Sequence, residues 1–140
     1  MHSPSRPQRH RVAISVNAAW NVVNFRAGLV RGLLQAGYEV VVIAPDDGHA
    51  EAVRALGARF TSIQLDRKGR NPLVELSTLQ RYRTVLREVH PAAYLGFTIK
   101  PNIYGSLACH RLGVPVLNNI AGLGTMFGKR SLSSFMVRAL

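Results

Sequence analysis

The sequence predicts an α/β domain built on a doubly wound, mostly parallel sheet. Two observations carry the prediction. Five short apolar runs alternate with segments of helical periodicity, the pattern of repeated βαβ units. The second run, EVVVIA at 39–44, is continuously apolar after its first residue, with four β-branched residues in a row, as a strand covered by helices on both faces must be. Right-handed crossovers then leave a Rossmann-like parallel sheet as the topology that fits.

Each element has its own local reason. Val12–Val16 reads as the first strand. The helix after it spans Asn24–Ala36, with Asn24 as N-cap, Ala27, Val30, Leu33 and Leu34 on one face, and Gly37 to end it. Glu39–Ala44 is the second strand. Pro45, Asp46 and Asp47 turn the chain into a short helix, Ala50–Leu56, closed by Gly57. Phe60–Leu65 is the third strand. After the DRKGRN loop a helix begins with Asn71 as N-cap and Pro72 in its first position. Leu73, Leu76, Leu79 and Leu86 recur on one face of that helix, and Pro91 stops it. Ala93–Thr98, Pro101–Leu112 and Val114–Asn118 complete the series as strand, helix and strand.

The 140-residue chain is 47% hydrophobic, enough for one buried core. Residues 1–10 read as a disordered basic tail and 11–140 as the domain. The segment Ser131–Leu140 starts an amphipathic helix, so the domain is expected to be incomplete at its C-terminal end. Eighteen Lys and Arg against seven Asp and Glu give a formal charge of +11, a field that attracts phosphates and anionic membranes. The basic stretches lack interleaved aromatics, which argues against nucleic acid. Cys109 is the single cysteine and reads as a core thiol. The His residues show no metal spacing. No apolar run is long enough to span a membrane, and a cytoplasmic protein is expected, with peripheral contact at the inner face of the membrane.

Open α/β sheets bind ligands beyond the carboxyl ends of their strands, where strand order reverses. With the order 3-2-1-4-5, the first and fourth strands flank that point. Three strand exits thus become candidate binding segments. The first holds Asn17, Trp20, Asn21 and Arg26, the second Thr98, Lys100 and Asn102, and the third Asn118, Gly122 and Gly124. Lys100 precedes Pro101, a position that disfavours helical backbone. It is therefore expected to be extended, outside the helix, turned to a phosphate and of little weight for stability. No carboxylate stands in these three loops, so no catalytic residue is assigned. The first strand exit lacks G-x-G-x-x-G and the chain lacks G-x-x-x-x-G-K-[ST], which argues against a nicotinamide cofactor and a P-loop.

The segments NVVNFRAGLVRGLLQAGYEVVVIAPDD, LDRKGRNPL, GFTIKPNIYGSLA and VPVLNNIAGLGTMF, in this order and spacing, resemble the N-terminal domain of family 4 glycosyltransferases of the GT-B fold. The bacterial enzymes that build lipid-linked oligosaccharide, capsule and O-antigen are the most similar group. The resemblance covers about Arg11 to Leu140. It implies an acceptor-side domain whose partner, a C-terminal donor domain, holds the nucleotide-sugar. It also implies retaining, metal-independent transfer to a lipid-linked or saccharide acceptor, with the nucleotide-sugar as substrate and no cofactor. The donor domain and its paired glutamates are not in this sequence, so the chain alone is expected to transfer no sugar. Two other readings stay open: a non-catalytic Rossmann-like binding module, and half of a nucleotide-sugar 2-epimerase, which shares the GT-B architecture.

Overall fold

The computed structural model describes residues 10–66 and 71–120. Five strands form one all-parallel sheet in the order β3-β2-β1-β4-β5, as the alternation predicts. The strands are β1 (Arg11–Ser15), β2 (Glu39–Ala44), β3 (Arg59–Ser62), β4 (Ala93–Gly96) and β5 (Val116–Asn118). The helices are α1 (Ala19–Asn21), α2 (Ala27–Gln35), α3 (Ala50–Ala55), α4 (Pro72–Val89) and α5 (Ser106–Leu112). Two five-residue π-helical segments, Val22–Arg26 and Pro101–Gly105, lie between α1 and α2 and ahead of α5.

β2 shows why the sheet must be covered twice. Val41 and Ile43 point into one core with Tyr82 and Leu86 of α4, Tyr94 of β4 and Cys109 of α5. Val40, Val42 and Ala44 point into another with Val22, Val30 of α2 and Val53 of α3. Burial pushes the Cys109 thiol up to about 12, so it packs as a small apolar group rather than serving as a thiolate nucleophile.

Several boundaries move. Asn71 caps α4 as predicted, its side chain accepting from the Leu73 N–H at 3.0 Å. The leucine stripe holds only in its second half: Leu86 is buried and Leu79 packs against the same core, whereas Leu73 and Leu76 are exposed, and the other buried residues of α4 are Thr78, Tyr82 and Val89. The first turns of α4 stand clear of the core, and the buried Thr78 hydroxyl is satisfied by donating to the Val74 carbonyl at 3.0 Å. Asn24 is no N-cap. It sits inside the first π segment, where its Nδ2 donates to the Trp20 carbonyl, and the helix begins five residues earlier, at Ala19.

Candidate functional site

β1 and β4 are adjacent, and the chain leaves them toward opposite edges of the sheet, so their carboxyl ends open the crevice expected of such a switch point. A π-helical segment follows each of these two strands. Short π segments are rare and recur at functional sites. A cleft of about 810 Å³ lies here. One side is formed by Asn17, Ala18, Trp20, Asn21 and Arg26 after β1, the other by Phe97, Thr98, Ile99 and Lys100 after β4. Leu65 and Asp66, beyond β3, close the third side.

Six of the ten residues predicted from the sequence thus meet in one pocket: Asn17, Trp20, Asn21, Arg26, Thr98 and Lys100. Asn102 and Asn118 do not line it. They crowd Gly96 instead, where an added Cβ would come within 2.3 Å of Asn102 Oδ1 and 2.7 Å of Asn118 Oδ1. Asn102 Nδ2 donates to the Asn119 carbonyl at 3.2 Å, and Asn118 Nδ2 to Ser106 Oγ at 2.7 Å. Both side chains therefore tie the exit of β5 to the helix that follows β4. Gly122 and Gly124 lie outside the described residues.

The pocket is aromatic on two sides. Trp20, 46% exposed, meets Phe25 edge-on with ring centroids 5.4 Å apart. The Arg26 guanidinium lies 4.2 Å over the Phe97 ring, within cation–π range. Asn21 Oδ1, Arg26 Nε and Thr98 Oγ1 are closed off from solvent without a hydrogen-bond partner.

Lys100 departs most from expectation. Its backbone is helical, at φ −64° and ψ −47°, so it stands at the start of the helix rather than outside it. Helical backbone before proline is disfavoured, not forbidden, and in a first turn the missing Pro101 N–H leaves no bond unmade. The side chain supplies the compensating contacts. Its ammonium reaches Glu75 Oε1 of α4 at 3.0 Å and the Asp66 carbonyl. With side-chain exposures of 24% and 22%, Lys100 and Glu75 form a partly buried pair that bolts the exits of β3 and β4 to α4. The Tyr104 hydroxyl donates to the other oxygen of Glu75. That hydroxyl first, then the Lys100 ammonium, holds the Glu75 carboxyl below its ordinary value against the opposing effects of burial and Asp66.

A buried tyrosine fixes the same wall from beneath. Tyr94 donates its hydroxyl to the Pro101 carbonyl at 2.6 Å, an acceptor in the π-helical turn. Gly105 makes room for it, since a Cβ there would lie 1.9 Å from the Tyr94 oxygen. Nearby, Tyr82 and Ser15 share a buried hydroxyl contact of 3.0 Å. Opposite, the Trp20 N–H donates to Asp47 Oδ2 at 3.0 Å, while His49 bonds the other Asp47 oxygen. Burial opposes charge on Asp47, but the bonds from Trp20 and His49 outweigh it and lower its carboxyl.

The acidic groups around the pocket were not selected from the sequence. Asp47 follows β2, Asp66 follows β3 and Glu75 belongs to α4, all outside the three exits chosen. Two of them do follow strand ends, the signal that selected the other residues.

Residues 11–140 match the glycosyl transferase 4-like family. The chain belongs to that family. This glycosyl transferase 4-like chain is 25% identical over 129 residues to N,N'-diacetylbacillosaminyl-diphospho-undecaprenol alpha-1,3-N-acetylgalactosaminyltransferase of Campylobacter jejuni, covering 91% of this chain and 34% of that protein. It spans about a third of that relative's length. Among solved structures it is similar to Acinetobacter baumannii MurG, with TM-score 0.61 and 18% identity over 79% of this chain and 34% of that one. It is also similar to a UDP-N-acetylglucosamine 2-epimerase, with TM-score 0.66 and 17% identity over 94% of this chain and 40% of that one. At these identities the two structures speak for the shared Rossmann-like fold alone. The family match is what favours the transferase over the epimerase. Among the described residues, no helix is long and apolar enough to cross a membrane.

Proposed function

We propose that this domain is the acceptor side of a nucleotide-sugar-dependent glycosyltransferase that extends a lipid-linked or saccharide acceptor in surface-glycan synthesis. The observation that carries the reading is the pocket at the β1–β4 switch point in a chain of this family. The relative's name describes transfer to a diphospho-undecaprenol-linked saccharide, an acceptor with a sugar, a phosphate and a lipid part. The pocket has counterparts for the sugar and the lipid. Trp20 offers a flat aromatic face for a sugar ring, and the exposed Phe25 and Ile99 offer apolar surface toward a lipid. Asn17, Asn21, Arg26, Thr98 and Lys100 form the polar lining, and Asn102 and Asn118 support it from the β5 side. The nucleotide-sugar sits on a separate donor domain. Transfer proceeds with retention and without a metal, as the family resemblance implies. The +11 charge draws the protein to an anionic membrane face in the cytoplasm, where such an acceptor would be presented.

Trp20 is the only tryptophan of the chain and lines the pocket, so its fluorescence reports occupancy directly. Anionic vesicles carrying a polyprenyl-diphospho-saccharide are expected to bind more tightly than bare ones and to shift that emission. Binding to bare vesicles should weaken as salt rises. A response to nucleotide-sugar, with none to the lipid-linked saccharide, would reverse the assignment.

A further inference from the structure

Two cations line the cleft among the described residues, Arg26 and Lys100, and only one of them is paired. Lys100 is engaged with Glu75 and the Asp66 carbonyl. Arg26 makes no hydrogen bond or ion pair among the described residues. Of its guanidinium nitrogens only Nε is closed off from solvent, so the two Nη groups, which carry all but one of its N–H donors, remain accessible. Arg26 ends the π-helical segment after β1, with its backbone off the helical region at φ −122° and ψ 4°. From there its side chain crosses the crevice to the exit of β4, where the guanidinium lies 4.2 Å over the Phe97 ring. Phe97 packs against the core of Val30 and Val53 and so gives a fixed platform. A ring takes one face of a guanidinium and none of its N–H groups, which leaves the in-plane fork that fits phosphate oxygens.

A half-buried cation with free donors calls for an anion from outside the protein. Asp66, the carboxylate of the lining, is engaged elsewhere. The sugar and lipid parts of the acceptor have counterparts in Trp20, Phe25 and Ile99, whereas its phosphate has none. We infer that Arg26 is the anchor for the diphosphate of the acceptor, a guanidinium fork held in place by Phe97. This rests on the acceptor-side reading and adds to it the residue that takes the charged part. A nucleotide-sugar also carries a diphosphate, and the test separates the two sources.

Geranyl diphosphate and UDP are each titrated into the 140-residue chain at fixed ionic strength, with Trp20 fluorescence as the readout. Geranyl diphosphate is expected to bind the tighter of the two, because its chain meets the apolar surface of Phe25 and Ile99. Arg26→Gln should weaken that binding by about tenfold or more, the loss of a bond to a charged group. Arg26→Lys keeps the charge but not the fork and should weaken it by about threefold or more. Should Arg26→Gln not fold, as far-UV circular dichroism would show, Arg26→Lys carries the comparison alone. Arg31→Gln removes the same charge from an exposed position in α2. It should change the affinity by less than about twofold, since one distant charge in a field of +11 is largely screened. Binding of geranyl diphosphate that is unchanged in the Arg26 variants, or that falls as far in Arg31→Gln, overturns the anchor and leaves the acceptor reading standing. Tighter binding of UDP, lost in Arg26→Gln, gives the arginine to a nucleotide and overturns both. Binding of neither ligand removes both as well.

Discussion

Lys100→Ala is expected to destabilise the fold far more than the loss of a surface lysine. A free exposed cation would contribute less than about 0.5 kcal/mol. Here the substitution removes a 3.0 Å ion pair whose partners are only 24% and 22% exposed, together with a bond to the Asp66 carbonyl. It leaves the Glu75 carboxylate partly buried with the Tyr104 hydroxyl as its remaining anchor. Hydrogen bonds to charged groups contribute about 1.5–3 kcal/mol, more than the 0–1 kcal/mol of a solvated pair. With an unfolding entropy of about 0.3 kcal/mol/K for a chain of this size, the Tm should fall by about 5–10 °C. Thermal unfolding followed by far-UV circular dichroism measures it. Adding Glu75→Gln to the Lys100→Ala variant should restore part of the loss, because the neutral amide no longer leaves a charge unpaired. A fall of less than about 2 °C, or a double variant no more stable than the single one, would refute the bolt and return Lys100 to a freely solvated role.

Gly105→Ala should cost about 3 kcal/mol or more, since the new methyl displaces Tyr94 and breaks its bond to the Pro101 carbonyl. Gly28→Ala, in α2 with nothing within 4 Å of its added carbon, should instead raise stability by about 0.5–1 kcal/mol in the same urea titration. Acid should weaken the fold through Glu75. Its folded-state carboxyl lies below the ordinary 4.5, so its contribution is complete above that value and is lost as pH falls through the lower, folded one. Tyr104→Phe removes the largest cause of that lowering and should flatten the acid limb of the stability profile, as urea midpoints taken from pH 6 to pH 3 would show.

The strands were legible because they carry their information locally, whereas their order was only the one that a doubly wound sheet would suggest. The run at Glu39–Ala44 is apolar on both faces and needs no partner to declare itself. The pocket was legible in outline for a related reason: a doubly wound sheet fixes where its ligand crevice falls, so Trp20, Arg26 and Thr98 could be placed by topology alone. What lay hidden depends on residues distant in sequence. Lys100 is governed by Glu75 and Asp66, 25 and 34 positions away, and no local propensity contains that pairing. The π-helical turn at Pro101–Gly105 is tied to a tyrosine in β4 that takes one of its carbonyls, and a 3.6-residue periodicity cannot register it. Asn24 has the chemistry of a cap, yet the helix had already begun at Ala19, and its side chain found the Trp20 carbonyl instead.

The bond from Tyr94 to Pro101 also has a consequence for how the domain can diversify. The wall of the cleft after β4 is held from below by a hydroxyl inside the core, with Gly105 as the gap that admits it. The side chains of Thr98 and Ile99, which face the cleft, make no bond to that anchor or to the Lys100–Glu75 pair. Thr98 and Ile99 can therefore change identity while the main chain beneath them keeps its course. A library randomised at these two positions, with Tyr94, Gly96 and Gly105 kept constant, would vary the chemistry of the cleft on a foundation that stays in place.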